Sequence, residues 1–313
     1  MSPKIPVAAV VGPTASGKTA LGIDIARSEN GEIVSADSMQ IYRGIHIASA
    51  APDSGETGGI PHHLIEFLEP SEKFTVADYV SAAKNAVKDI YSRGKLPIVV
   101  GGTGLYIDSL LNGISFTDEE ENSEVRERLI KQSELYGSAA MLEKLREIDP
   151  AAAERLHPND LRRILRAIEV YELTGKTFSE CLSDSRSESA PFNSIIIGIT
   201  FKNRDILYDR INRRVDKMLE NGLEREARET FAKSHGGAAQ AIGHKELFAY
   251  FRGEKSLEEA AEDLKRATRR YAKRQLTWFR RNENINWIYA DECENVSSEA
   301  IRIIKEWEKS FER

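Results

Sequence analysis

Gly12-Pro13-Thr14-Ala15-Ser16-Gly17-Lys18-Thr19 sets two glycines, a lysine and a hydroxyl in the spacing G-x-x-x-x-G-K-[ST]. Those residue types in that order suit one task, the holding of phosphate oxygens. Glycines let backbone N–H groups turn inward around an anion, a helix opening at the loop adds its dipole, and Lys18 adds a mobile positive charge. The Thr19 hydroxyl is placed to ligate a Mg²⁺ held between phosphate oxygens. The motif therefore implies a polyphosphate or diphosphate ligand. It leaves open whether that ligand is ATP.

Other residues carry compatible chemistry. Asp37, opening Asp37-Ser38-Met39-Gln40-Ile41-Tyr42, directly follows an apolar run. It could hold Mg²⁺, bind a hydroxyl, act as a general base, or cap a helix. In Gly101-Gly102-Thr103-Gly104 the threonine could bond a departing phosphate oxygen or serve as a plain cap. Arg210, Arg213 and Arg214 fit a solvated basic face on a surface helix. From Leu264 to Arg281 there are eight basic residues and no acidic one, with Tyr271, Trp278 and Phe279 interleaved. RNA phosphates would suit that stretch, and so would water. Arg162, Arg163 and Arg166 lie opposite an apolar helical stripe and make a second basic face.

The elements that must position these residues can be read from the hydrophobic pattern. Val7–Val11, Glu32–Ala36, Leu96–Val100 and Ser194–Ile199 read as strands. Lys18–Ser28 and Val76–Tyr91 read as the helices between the first three, and about Leu105–Leu111 as a helix following the third. Strands apolar on both faces, alternating with helices, predict a parallel sheet covered on both sides. In such sheets ligands sit beyond the carboxyl ends of the strands, so Asp37 and Lys18 should face one crevice. The pattern turns helical near Thr117, with a stripe over Leu161–Tyr171, and serine-rich Ser179–Ser189 reads as a loop. We therefore expect an α/β, P-loop NTPase-like core of residues 1–117 and 194–313, interrupted by an all-helical insertion at 118–193. Long helices to about Arg281, a strand at Ile285–Tyr289 and an amphipathic helix should complete the core.

Composition excludes other classes. In 313 residues, 41% hydrophobic and 30% charged, no apolar run approaches the ~20 residues that span a bilayer. Cys181 and Cys293 match no disulfide framework or paired metal spacing. The expectation is a cytoplasmic, zinc-free monomer. A net charge of -6 argues against a general nucleic-acid coat but not against one basic face.

Taken together, the P-loop, Asp37 to Gly44, Gly101 to Tyr106, Asp149-Pro150, His157-Pro158-Asn159-Asp160, Arg210-Ile211 with Arg214, Ala241-Ile242-Gly243-His244-Lys245-Glu246, and Lys273-Arg274-Gln275 before Trp278-Phe279-Arg280 resemble the bacterial tRNA dimethylallyltransferase family. The matches run in order from residue 12 to about 281. The family usually has tyrosine where this chain has His244.

The resemblance implies transfer of a dimethylallyl group from dimethylallyl diphosphate to N6 of adenosine at tRNA position 37. The P-loop would then grip the donor's diphosphate, with Mg²⁺ as cofactor. Asp37 would be the general base, Ser38, Met39 and Gln40 would line the base pocket, and Thr103 would meet the leaving oxygen. Lys18, Arg210 and Arg214 would stabilise the diphosphate. Contacts to the tRNA anticodon stem-loop would come from Arg126, Asp160, Arg162, Arg163, Arg166, Gly243, His244, Lys245, Arg269 and Arg274.

A P-loop small-molecule kinase is the alternative, with Asp37 on an acceptor hydroxyl and the insertion as a lid. The basic, aromatic-bearing stretch favours RNA, which a kinase does not need. A non-catalytic RNA-binding module leaves Lys18 and Thr19 unexplained.

Overall fold

The computed structural model describes residues 4–114, 123–186, 190–233 and 241–311. Six parallel strands form one sheet in the order β3-β2-β4-β1-β5-β6. The strands are β1 (Ile5–Val11), β2 (Gly31–Ser35), β3 (His62–His63), β4 (Leu96–Gly101), β5 (Phe192–Thr200) and β6 (Ile285–Tyr289). Register sets Ala8 of β1 beside Ile98 of β4 and Ile195 of β5, and Ile33 of β2 beside Ile98. The parallel α/β architecture matches the sequence expectation, and its reason is visible in the strands. All of β2 and β4 is buried, as it must be when helices cover both faces.

Connecting the strands are α1 (Lys18–Ser28), α2 (His46–Ser49), α3 (Ser54–Thr57), α4 (Val76–Ser92) and α5 (Gly104–Asn112). Leu21 and Ile25 of α1 pack with Ala8, Val10, Ile33, Ile98 and Ile197 from one face of the sheet. Pleating sends Val7, Ala9 and Val11 to the other face. A capping box of Thr75 and Asp78 starts α4. That device satisfies two helix-end donors at once.

Two compact units divide the chain: Met1–Leu111 with Pro191–Arg313, and Asn112–Ala190. The second contains α6 (Ser123–Ile148, broken at Gly137), α7 (Pro150–Ala153), α8 (Leu161–Thr174) and α9 (Phe178–Arg186). Its core is Leu129, Leu142 and Leu145 against Ile164, Leu165 and Ile168. Helix α9 corrects the loop expected at Ser179–Ser189, of which 187–189 lie outside the described residues. Thr177 and Glu180 cap it reciprocally, and Asp149 accepts from both the N–H and the hydroxyl of Ser179 at 2.8 Å. Caps outweighed the poor helix propensity of serine.

The first unit resumes with α10 (Arg204–Glu220), α11 (Leu223–Lys233), α12 (Phe248–Phe251), α13 (Leu257–Phe279) and α14 (Val296–Glu308). Leu207 and Ile211 of α10 meet Ala272 of α13, with Ala15 of the P-loop against the same cluster. No helix among the described residues is long and apolar enough to cross a membrane.

Candidate active site

Strand order decides what meets at the crevice. With β1 between β4 and β5, and β2 beyond β4, the segments after β2, β4 and β1 lie side by side. Those segments are Asp37–Gln40, Gly101–Gly104 and the P-loop. Gly17 initiates α1 in the left-handed region at φ 99°, where a side chain is strained. Ala15 also sits there, at φ 63°. Its carbonyl accepts from Arg210 Nε at 2.9 Å, and the Arg210 guanidinium lies over the Phe201 ring at 5.3 Å. Lys18 is half-buried, and its Nζ approaches Pro13 O at 3.5 Å.

The second glycine loop makes room for protein rather than for a ligand. A Cβ on Gly102 would stand 2.1 Å from Gln275 Nε2, and one on Gly104 would stand 2.2 Å from Trp278 Cδ1. Gln275 accepts from Thr14 N and donates to Gly102 O, each at 2.9 Å. Trp278 Nε1 donates to Asp108 Oδ2 at 2.7 Å. Tyr271, Gln275 and Trp278 were legible in the sequence only as part of a basic stretch and a family motif. Their spacing, four and then three, was the available signal that one face of α13 points inward.

Asp37 does not cap a helix. Its Oδ1 accepts from Met39 N at 2.9 Å, a tight side-chain turn, and no partner engages Oδ2 among the described residues. Nor does the Thr103 hydroxyl cap: it accepts from Ser38 N at 3.1 Å, while Thr103 N donates to Ala36 O at the same distance. Gln40 is held at both ends, Oε1 accepting from Ser35 Oγ at 2.7 Å and Nε2 donating to Ala50 O at 3.2 Å. Asp37, Ser38, Met39 and Thr103 are half-buried.

Electrostatics couples these groups. Burial and the Arg214 charge push the Lys18 ammonium down to about 8, with Asp37 opposing. Arg214 is likewise lowered by burial, against Asp37 and Glu56. Burial and the Asp37 charge raise Tyr271, offset in part by hydrogen bonds with Thr103 and Gln275. Two cations crowded around Asp37, with Glu56 also acting on Arg214, suit an anionic ligand. By contrast, Arg213 is exposed and lies 3.9 Å from Asp209, an ordinary surface pair. Among the described residues no cluster of three or more His, Cys, Asp or Glu could cage a metal. The crevice supplies a sparse oxygen set, the Thr19 hydroxyl and the Asp37 carboxylate. Such a set suits Mg²⁺, which takes few protein ligands and shares phosphate oxygens.

The residues expected to meet RNA are less uniform. His244 is wholly buried, and its Nε2 lies 2.8 Å from Glu226 Oε1, so its ring offers no surface to RNA. Glu226 in turn accepts from Ile47 N and Ala48 N at 2.7 and 3.0 Å. Gly243, at φ 118°, is buried against Ala48, whereas Lys245 is exposed. On α13, Lys265 pairs with Asp216 and Glu262, Arg266 pairs with Asp263, and Arg269 donates to Asn212 Oδ1 at 2.6 Å. The partners of Lys265 and Arg266 precede the acid-free stretch or lie on α10. Arg270, Lys273 and Arg274 stay exposed, with Arg274 over the Tyr271 ring at 5.6 Å.

In the helical unit, Arg126 and Arg166 both donate to Oε2 of buried Glu169, at 3.1 and 3.2 Å. Arg162 and Arg163 are exposed. Asp160 accepts from His157 N at 3.2 Å and closes the turn before α8.

A family model described as IPP transferase matches residues 40–282. The tRNA dimethylallyltransferase of Caldanaerobacter subterraneus subsp. tengcongensis is 50% identical over 292 residues, 92% of this chain and 93% of that protein. Its counterpart in Bacillus subtilis is 47% identical over 286 residues, covering 91% and 90%. Among solved structures, the full-length tRNA isopentenylpyrophosphate transferase from Bacillus halodurans is similar at a TM-score of 0.72 and 41% identity, covering 99% of this chain and 100% of that one. A eukaryotic dimethylallyltransferase acting on tRNA reaches a TM-score of 0.85 at 30% identity, covering 97% and 80%.

Proposed function

The chain belongs to the IPP transferase family, whose members transfer a dimethylallyl group to tRNA, and we propose that its crevice takes that group from dimethylallyl diphosphate to N6 of adenosine 37. The observation that carries this reading is that Lys18 of the P-loop and Arg214 both feel the Asp37 carboxylate, whose Oδ2 has no partner among the described residues. A diphosphate is the ligand that two cations at a phosphate loop suit.

The donor carbon is allylic, so positive charge developing there is delocalised and diphosphate departs. The N6 lone pair forms the new C–N bond while the C–O bond breaks, its electron pair going to the diphosphate oxygen. Lys18, Arg210, Arg214 and the loop amides stabilise that charge where it accumulates. The N6 proton passes to Asp37 Oδ2, which must come within about 2.6–3.2 Å of the amine. Thr103, held against Ser38, positions the Asp37 turn and stands beside the leaving group. Mg²⁺, when bound, would be held by Thr19 and diphosphate oxygens and would neutralise part of the charge. Adenosine must leave its stack to reach the crevice, at a cost of a few kcal/mol. Arg126, Arg162, Arg163, Arg166, Lys245 and Arg274 are the proposed phosphate contacts.

Incubation with dimethylallyl diphosphate, Mg²⁺ and unmodified tRNA, followed by nucleoside analysis, tests the reading. Appearance of N6-dimethylallyladenosine at position 37 is expected. Phosphorylation of a small acceptor from ATP without prenylation would sink it.

A further inference from the structure

Gln275 is 5% exposed, yet both ends of its carboxamide reach loops far away in the sequence. Only one orientation works. Thr14 N–H can only donate and Gly102 C=O can only accept, so Oε1 must face the P-loop and Nε2 the glycine loop. These loops leave adjacent strands, β1 and β4. Gly102 lacks a side chain where Nε2 must pass. Three residues later on α13, Trp278 fills the space beside Gly104 and donates from Nε1 to Asp108 Oδ2 at 2.7 Å, so the same face of the helix meets the glycine loop twice.

We infer that Gln275 is a positioning residue for the donor: it sets the spacing of the two loops and removes the Thr14 amide from the set that binds diphosphate. The sequence motif alone counts Thr14 among the phosphate ligands. In the fold its N–H is already satisfied within the protein, and the cradle begins at Ala15. Because a buried donor or acceptor left unpaired is costly, the loops do not move apart freely while Gln275 is in place. The inference rests on the diphosphate reading of the crevice.

The test starts with the intact wild-type protein and needs no variant. Residue-resolved amide exchange should find Thr14 protected without ligand and unchanged by inorganic diphosphate with Mg²⁺, while amides from Ala15 to Thr19 slow. A freely exchanging Thr14 amide that becomes protected on adding diphosphate would overturn the inference. Gln275→Met keeps length without hydrogen bonds, and Gln275→Asn keeps the carboxamide without the span. Each should weaken inorganic diphosphate by roughly tenfold or more while tRNA affinity stays within about twofold. The KM for the donor should rise more than kcat falls. Equal losses for both substrates would mark a merely structural glutamine and overturn the proposal, as would wild-type diphosphate affinity in both variants. Failure of the wild type to bind inorganic diphosphate at all would instead overturn the crevice reading itself.

Discussion

Arg210 Nε donates to the carbonyl oxygen of Ala15 across 2.9 Å, tying α10 to the one P-loop residue without glycine's freedom that sits in the left-handed region. That conformation costs on the order of 1 kcal/mol or more for alanine. One N–H of Arg210 therefore shapes the loop, and under the proposed function its terminal nitrogens meet the diphosphate. Arg210→Lys should fail to rescue, since an ammonium lacks the guanidinium fork. Donor affinity measured for Arg210→Ala and Arg210→Lys should drop comparably in both. Near-wild-type binding by the lysine variant would show that charge alone matters.

Lys18 predicts opposite pH trends for binding and for stability. Its folded value is lowered to about 8 from the ordinary value near 10.5. Between those values the unfolded chain binds more protons, so this group makes the free protein more stable as pH rises from about 8 toward 10. Diphosphate needs the charged form, so donor affinity should fall over the same interval. Titration calorimetry with inorganic diphosphate checks the binding limb, and Lys18→Met should flatten it.

Asp37→Ala should slow the chemical step by roughly 10²–10⁴-fold if the carboxylate takes the N6 proton. Single-turnover rates with bound tRNA isolate that step. A wild-type rate in this variant would remove Asp37 from the chemistry.

Salt dependence should sort the cations of α13. Arg270, Lys273 and Arg274 are exposed with no ion pair within 4.0 Å among the described residues, whereas Lys265 and Arg266 are already paired. Alanine at a phosphate-binding position should reduce the slope of log affinity for tRNA against log salt by roughly 0.7–0.9. Lys265→Ala and Arg266→Ala should leave the slope unchanged. If every exposed variant matches the wild type at two salt concentrations, α13 faces only water.

Away from the crevice, the amino-terminal half of β2 buries Glu32, which accepts from Arg93, from Lys95 at 2.8 Å and lies 2.8 Å from His63 Nε2. The Arg93 guanidinium holds this carboxyl far below the usual carboxylate range, with burial opposing and Lys95 and His63 assisting. A depressed folded value contributes stability above the unfolded value of about 4.3 and loses it as pH falls further. Glu32→Gln should cost about 2 kcal/mol at neutral pH, a figure moderated by the part-exposed Arg93 and Lys95. Its unfolding should also lose acid sensitivity below pH ~4, while donor affinity of the folded variant stays unchanged.

Local chemistry made the phosphate loop motif, the alternating strands and helices, and an acidic residue at the end of the second strand readable from the chain alone; that Asp37 closes a turn and not a helix cap came from the fold. Each depends on neighbours within about ten residues: an apolar run, a glycine that tolerates φ 99°, a helix opening at Lys18. Family membership was readable for a related reason, since ordered motifs survive in linear form. Long-range partnership was not. Gln275 lies 261 residues from Thr14, and nothing near either residue announces the bond. The basic stretch of α13 looked uniform because its acids, Asp216, Glu262 and Asp263, lie outside it. His244 resembles a surface contact in the sequence, but the fold buries it against Glu226; the serine-rich start of α9 resembles a loop, but Asp149 accepts from Ser179 and Thr177 accepts from Glu180 N. Periodicity tells which residues share a face. Only the packed tertiary structure decides whether that face meets water, a loop or an opposing charge, because burial and pairing depend on segments that the fold brings alongside, some of them hundreds of residues away.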